Sequence, residues 1–317
     1  MDQFLRRRRR RAAARHVLRT MRRAERALAI LVGETLTEDD SMTTKYLFDN
    51  AAEREARARM AALAAQHNDA TFRYMEKCGI ALGWNCLEIG AGDGSVARWM
   101  AARVGPTGFV LATDIDPRFV LQDGSANPAN MEVRVHDIVT DSLPEGAYDL
   151  IHARLVLIWL PARLAVLDKL VKALRSGGWL LIEDYDTRLV PPELAAANPT
   201  AAAKFIKMRD ALRELMTRSG LGHTYARELH HRLRERGLVQ VESHGAIATF
   251  AGGSPGADLQ QANFRQVHKA AIEAGFVSEA EFEEVMLLLS DPQFTAFTPT
   301  MFSAMGRKPE APRTPSR

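Results

Sequence analysis

Three glycines at alternate positions, in Glu88-Ile-Gly90-Ala-Gly92-Asp-Gly94-Ser95, stand where a short apolar run meets the start of a helical stretch. Glycine in such a place lets the backbone turn tightly and approach a ligand, because any Cβ would occupy the ligand's space. A dinucleotide fingerprint, G-x-G-x-x-G, would need a third glycine at position 95, which is serine. Carboxylates close the next two apolar runs at Asp114 and Asp137, and a further acidic run is Glu183-Asp184-Tyr185-Asp186. Carboxylates in a run can hold a metal. Adjacent strand residues point to opposite faces, however, so at most alternate ones converge, and no metal is expected. Among the histidines at 136, 152, 223, 230, 231, 244 and 268, His152 and His244 fall on predicted strands and are the better candidates for a base. Tyr185 joins them as a catalytic candidate at the end of its strand.

These residues need a scaffold that gathers strand ends. Apolar runs at 85–89, 109–114, 132–136, 148–153 and 179–185 alternate with helical stretches at 95–104 and 161–174. Such alternation predicts an α/β fold with a parallel sheet covered on both faces. A helical region at 46–80 precedes it. After Tyr185 come helices at 204–217 and 224–236, a long strand at 239–250 and a loop rich in glycine and proline at 251–256. Helices at 258–275 and 278–290 and a strand at 300–305 complete the plan. The helical segments at 191–220 and 257–290 either close over the site as a lid or build a homodimer interface.

The order and spacing of these motifs resemble those of the class I S-adenosylmethionine-dependent methyltransferases. Glu88 through Gly94 match their first motif, Asp114 ends strand two, His136-Asp137-Ile138 follows strand three, Tyr148-Asp-Leu-Ile151 opens strand four and Gly177-Gly-Trp179 precedes strand five. The resemblance covers 85–186 well and 46–80 loosely. Tyr46-Leu-Phe-Asp-Asn50, His152-Ala-Arg154 and Ile182-Glu-Asp-Tyr185 are similar to bacterial small-molecule methyltransferases of specialised metabolism, relatives of the quinone C-methyltransferases. It implies a Rossmann-like, doubly wound sheet of seven strands, the last antiparallel, with helical lid insertions. It also implies S-adenosyl-L-methionine as cofactor, held by Glu88, Gly90, Gly92, Gly94, Asp114, Ile115, Asp137, Ile138 and Arg154. The acceptor would be a small molecule met by Tyr46, Asn50, Trp159 and Asp184, methylated on carbon, nitrogen or oxygen.

Composition sets the outer limits. The 317 residues are 46% hydrophobic, enough for a sizeable core, and two cysteines cannot make a four-ligand zinc site or a disulfide scaffold. No apolar stretch approaches the roughly 20 residues needed to cross a bilayer, so a cytoplasmic protein without membrane partners is expected. Residues 1–32 carry eleven arginines against Asp2 and Glu25, a net +9, so the rest carries −6 of the chain's +3. The expected domains are an arginine-rich extension at 1–41 without a role of its own, a catalytic domain at 42–306 and a tail at 307–317. Within the domain, 46–80 holds the first helices, 85–186 the cofactor core and 187–306 the lid and last strands. Met42 is an alternative start, which peptide mapping of the native protein tests. An acidic globule disfavours a nucleic-acid substrate. The absence of N/D-P-P-Y/F after strand four, where His152-Ala-Arg-Leu155 stands, disfavours amino-methylation of adenine or glutamine. The alternatives are an RNA or ribosomal methyltransferase anchored by its arginines, a nicotinamide-dependent oxidoreductase, and a silent cofactor-binding protein.

Overall fold

Strands hidden on both faces read as continuous apolar runs, and the sheet grows outward from two of them, β1 (Asn85–Ile89) and β4 (Tyr148–Arg154). In the computed structural model, which describes Leu47 and residues 53–121, 127–190 and 199–310, seven strands pair in the order β3-β2-β1-β4-β5-β9-β6. The others are β2 (Phe109–Asp114), β3 (Met131–Val135), β5 (Leu174–Asp186), β6 (Val239–Ala246) and β9 (Thr300–Arg307). β9 alone runs antiparallel, against β5 and β6. The expected doubly wound sheet with an antiparallel last strand is therefore the observed one. The order reverses between β1 and β4, and the carboxyl ends flanking such a switch form a natural ligand crevice.

Alternation divides the sheet's two faces. Leu87, Ile89, Ile151, Ala153, Leu180 and Ile182 face α4 (Arg163–Ala173) and α6 (Tyr225–Glu235), in one apolar cluster with Leu167, Leu170 and Leu229. Cys86, Leu150, Leu181 and Met305 face the other way, towards α1 (Glu53–Lys77) and α2 (Ser95–Val104), with Met75 and Met100 between. On this second face the row turns polar towards the carboxyl ends, at Glu88, His152, Glu183 and Ser303. The short helix α3 (Arg118–Leu121) follows β2.

A separate apolar cluster builds the lid. It joins α5 (Pro199–Arg218), α7 (Pro255–Glu273) and α8 (Glu279–Leu288) through Phe205, Met208, Phe250, Phe264, Phe282 and Phe294. Ser278 starts α8 with a reciprocal capping box to Glu281, and Pro255 opens α7 after Ser254. The two short strands β7 (Thr249–Ala251) and β8 (Thr295–Phe297) pair antiparallel beneath these helices.

Two expectations need correction. The single strand at 239–250 is two, because Phe250 leaves the sheet edge to be buried among the lid phenylalanines. β6 also carries a register shift between Val239 and Glu242, where Gln240 takes a φ of +50°. The tail does not begin at 307. Arg307 ends β9, and Lys308 Nζ donates to the carbonyls of Val171, Lys172 and Leu174. Residues 1–41 lie outside the described residues, and no described helix is long and apolar enough to cross a membrane.

Phe264 is fully buried, with its ring centroid 6.0 Å from that of Phe205. Phe264→Ala is expected to cost about 3–5 kcal/mol. Hydrogen exchange should then rise in α5, α7 and α8 before it rises in β1 and β4; uniform acceleration would mean that lid and sheet open as one unit.

Candidate active site

β1 ends at Ile89 and the chain reverses through the glycines. Gly90, Gly92 and Gly94 all have positive φ, at +70°, +57° and +78°. A Cβ on Gly90 would lie 2.4 Å from Val156 Cγ2, and one on Gly94 would lie 2.9 Å from Val120. Neither site accepts a side chain. Asp93 Oδ1 accepts from the Ser95 amide at 3.0 Å and from its hydroxyl at 2.7 Å, which fixes the start of α2. The neighbouring strand ends face this turn. Asp114 Oδ2 accepts from the Gly92 amide at 3.1 Å and Oδ1 from the Asp116 amide at 3.0 Å. Burial pushes the Asp114 carboxyl up, against the lowering pull of those two amides. Beyond it Ile115 is 72% exposed, an apolar face at the crevice mouth. The His136 amide donates to the Asp114 carbonyl at 2.9 Å, tying the loop after β3 to β2. In that loop Asp137 Oδ1 accepts from the Val139 amide at 2.8 Å, and Lys169 Nζ donates to the carbonyls of Ile138, Val139 and Asp141.

Beneath the turn lies a buried polar chain. Register pairs Glu88 with His152, and Arg154 with Glu183. His152 Nδ1 donates to Glu88 Oε2 at 2.7 Å and Nε2 to Glu183 Oε2 at 3.1 Å, with all three residues buried. Thr71 Oγ1 donates to Glu183 Oε2 at 2.5 Å, and Ser303 Oγ donates to Oε1 at 2.5 Å. Arg154 donates to Thr71 Oγ1 and to Asn68 Oδ1, both at 2.9 Å. Asn68 Nδ2 in turn donates to Ser95 Oγ at 3.1 Å. Strand β4 is thereby linked through α1 to the glycine turn. Burial opposes charge on His152, but the Glu88 charge and the hydrogen bonds to Glu183 and Glu88 prevail and raise its pKa to about 9. Burial also works against the Glu183 charge, yet the His152 hydrogen bond, the His152 and Arg154 charges and Ser303 bring it down to about 2. Glu88 goes up, because its burial outweighs the His152 contacts.

A cavity opens at the carboxyl ends of β4 and β5 under the lid. Leu155, Trp159 and Tyr185 line it from the sheet side. Leu155 holds a φ of +57°, a left-handed conformation costly for leucine. Its amide donates to the Glu183 carbonyl at 2.8 Å, which helps hold the bend. His67 Nε2 and the Tyr185 hydroxyl lie 2.5 Å apart. Burial first, then the Arg154 charge, lowers the His67 pKa to about 4, so the imidazole is neutral at pH 7 and its Nε2 can accept a hydrogen bond from the phenol.

The residues singled out from the sequence do not all converge. Gly90, Gly92, Gly94, Asp114, Ile115 and Asp137 gather at the crevice, and Trp159 and Tyr185 line the cavity. Glu88 lies under the turn rather than in it, and Arg154, at the end of β4, bonds Asn68 and Thr71 of α1. His152 is a correction: it is fully buried with both ring nitrogens engaged by carboxylates, so it has no access to an acceptor. His244 is another, since it sits on exposed β6, stacks on Tyr74 and pairs with Glu242 at 3.2 Å. Asp184 shares the parity of Leu180 and Ile182 and is fully buried on the α4–α6 face. Ile138 is buried in the same apolar cluster. Tyr46 and Asn50 lie outside the described residues. The sequence reading missed Arg59 and His67. Their signal was a four-residue step, Arg59-Leu63-His67-Thr71, four buried residues on one face of α1.

His152→Gln would remove the cation between two buried carboxylates, at a cost of about 3–5 kcal/mol. The pKa of His152 rises on folding, so its contribution is complete below pH 6.5 and is lost as pH climbs through about 9. Wild-type unfolding free energy should fall by roughly 1–3 kcal/mol across that window, and the variant's decline should be smaller; equal slopes in urea titrations would contradict the charged imidazole.

The family profile described as a methyltransferase domain matches residues 6–243. Methyltransferase str2 of Strobilurus tenacellus is 39% identical over 132 residues, 40% of this chain and 46% of that protein. A trans-aconitate 2-methyltransferase of Methylobacterium radiotolerans is 33% identical over 122 residues, 37% of this chain and 46% of that one. The chain thus matches less than half the length of these relatives. The Bacillus subtilis YcgJ structure is 14% identical with a TM-score of 0.49, over 77% of this chain and 100% of that one. With well over half of its residues matched by the profile, the chain belongs to the methyltransferase-domain family, of the class I S-adenosylmethionine-dependent type.

Proposed function

We propose that this protein transfers a methyl group from S-adenosyl-L-methionine to a carbon, nitrogen or oxygen atom of a small molecule in specialised metabolism. One observation carries the reading. Val156 packs against Gly90, and its neighbour Leu155 lines the cavity, so one bend borders both the glycine turn and the cavity. A cofactor at the turn and an acceptor in the cavity would be neighbours across that bend.

The residues at the crevice fit the cofactor. Positive φ at three glycines keeps the turn clear of side chains, Asp114 offers a carboxylate to ribose hydroxyls, and Ile115 offers an apolar face to adenine. Asp137 would take the adenine amino group, and Arg154 the carboxylate of the methionine end. When bound, S-adenosylmethionine supplies a methyl carbon already activated by its sulfonium. The protein's task is then alignment and exclusion of water. With neutral His67 accepting the hydrogen bond of the Tyr185 hydroxyl, the phenol oxygen's lone pairs would face the cavity as an acceptor for a donor on the substrate. Leu155 and Trp159 exclude water beside it. The catalytic domain is read as 42–310, with 1–41 and 311–317 as flanks, acting in the cytoplasm.

Isothermal titration with S-adenosylmethionine, its demethylated product and NAD should show binding of the first two only, abolished by Asp114→Ala. Binding of NAD alone would replace the reading with an oxidoreductase. Tyr185→Phe should lower kcat/KM by about tenfold, the value of one hydrogen bond of about 1.4 kcal/mol, while cofactor affinity stays unchanged.

A further inference from the structure

The cavity under the lid is apolar over most of its wall, with Leu63, Phe205, Leu212 and Leu259 among its lining residues. The guanidinium groups on that wall are engaged within the protein. Arg59 Nε donates to Asn263 Oδ1 at 2.8 Å. Arg213 bonds Asp210 Oδ1 at 2.6 Å, and Arg209 Nε lies 4.0 Å from the same oxygen. Two amides of α7 also line the cavity, Gln260 and Asn263, three residues apart and so on one face of the helix. The Asn263 oxygen is taken by Arg59, which leaves its Nδ2 as the end it can offer. Gln260 is only 7% exposed, yet neither its oxygen nor its nitrogen has a hydrogen-bond partner among the described residues. A buried amide left unpaired is costly. Apolar pockets use a small number of placed polar groups of this kind to orient a ligand.

From this we infer that the methyl acceptor is an uncharged molecule with an apolar body and a primary carboxamide or lactam, whose amide edge pairs with Gln260. Both groups present an N–H and a carbonyl on one edge. The N–H donates to Gln260 Oε1, and the carbonyl accepts from Gln260 Nε2, with Asn263 Nδ2 as a second donor. The inference rests on the functional reading above for the word acceptor, but the amide site itself does not need the cofactor. Gln260 positions the molecule and takes no part in the transfer. A ketone of the same shape offers no donor to Gln260 Oε1, and a carboxylate sets negative charge against that oxygen. A site built to meet a donor rejects the analogue that lacks it, because its own polar group is then left unpaired.

Binding of three isosteric probes, read by tryptophan fluorescence on the full chain, tests this directly. 3-Phenylpropanamide should bind about tenfold more tightly than 4-phenylbutan-2-one, a difference of about 1.4 kcal/mol, and more tightly than 3-phenylpropanoate. Gln260→Met should shrink the amide's lead over the ketone to less than about threefold. It should not lower the melting temperature, since it removes an unpaired buried amide. Gln266, further along α7, is also unpartnered among the described residues but does not line the cavity, so Gln266→Met should leave the lead unchanged. Equal or tighter binding of the ketone or the carboxylate overturns the inference, as does absence of saturable binding by the amide. A lead that survives in Gln260→Met, or is lost equally in Gln266→Met, does the same. So does a melting temperature lowered by Gln260→Met, which would mean that the amide has its partner within the protein. S-adenosylhomocysteine is titrated in parallel. An amide preference without binding of that product leaves the amide site standing and removes the methyl-transfer reading.

Discussion

An imidazolium fixed between two carboxylates joins three neighbouring strands in the middle of the sheet. Glu88 on β1, His152 on β4 and Glu183 on β5 are buried where neither water nor salt can screen them. A pair of this kind contributes little net stability compared with a well-packed apolar core, because desolvation offsets the attraction. Its value is directional. Sliding β4 by one residue would bring Ala153 opposite Glu88 and turn His152 to the α4–α6 face, leaving both carboxylates without a cation. The register of the three central strands, and with it the height at which each carboxyl end delivers its side chains, follows from this arrangement. Thr71 and Ser303 complete the coordination of Glu183 from α1 and β9, so the same centre docks the first helix and the antiparallel strand.

Two kinds of packing meet above that centre. Below, leucine and isoleucine dominate one face of the sheet, and methionine, valine, alanine and cysteine most of the other. Above, a phenylalanine cluster assembles the lid from segments far apart in sequence. The candidate site lies between, on a polar stripe of α1 and a strained bend after β4. Strain of this sort survives only where surrounding contacts determine the backbone, and it gathers at sites where geometry matters more than stability. Leu155 meets both conditions: its amide is tied to Glu183, and its side chain borders the cavity.

Much of the sheet was legible because parallel strands announce themselves as short apolar runs, and because glycines with positive φ leave a spacing that little else explains. β1, α2 and β2 fall on the residues where their patterns place them. The carboxylates of β2 and β3 were legible for the same reason, since each closes a run. Side-chain direction at the ends of the strands was not. Glu183, Asp184, Tyr185 and Asp186 stand together in sequence, yet they reach His152, the α4–α6 face, the cavity and Arg227 respectively. Knowing which parity faces α1 requires the sheet's handedness and its helix packing, which local spacing does not carry. His152 stood out as a base because it falls on a predicted strand; its two acidic neighbours come from strands 64 and 31 residues distant. The split of the strand after Val239 escaped for a related reason, since the demand on Phe250 arises from the lid and not from its own neighbours.

The last strand of the sheet also bears on how the protein behaves in crowded solution. β6 is an edge, mostly exposed, and offers a row of unpaired amides and carbonyls to any passing strand. The shifted register at Gln240 breaks the regular spacing of that row, and Glu242, paired with Lys77, sets charges beside it. A bulge with flanking charge is a poor template for edge-to-edge growth, so the side of the sheet farthest from the crevice carries its own protection against polymerisation.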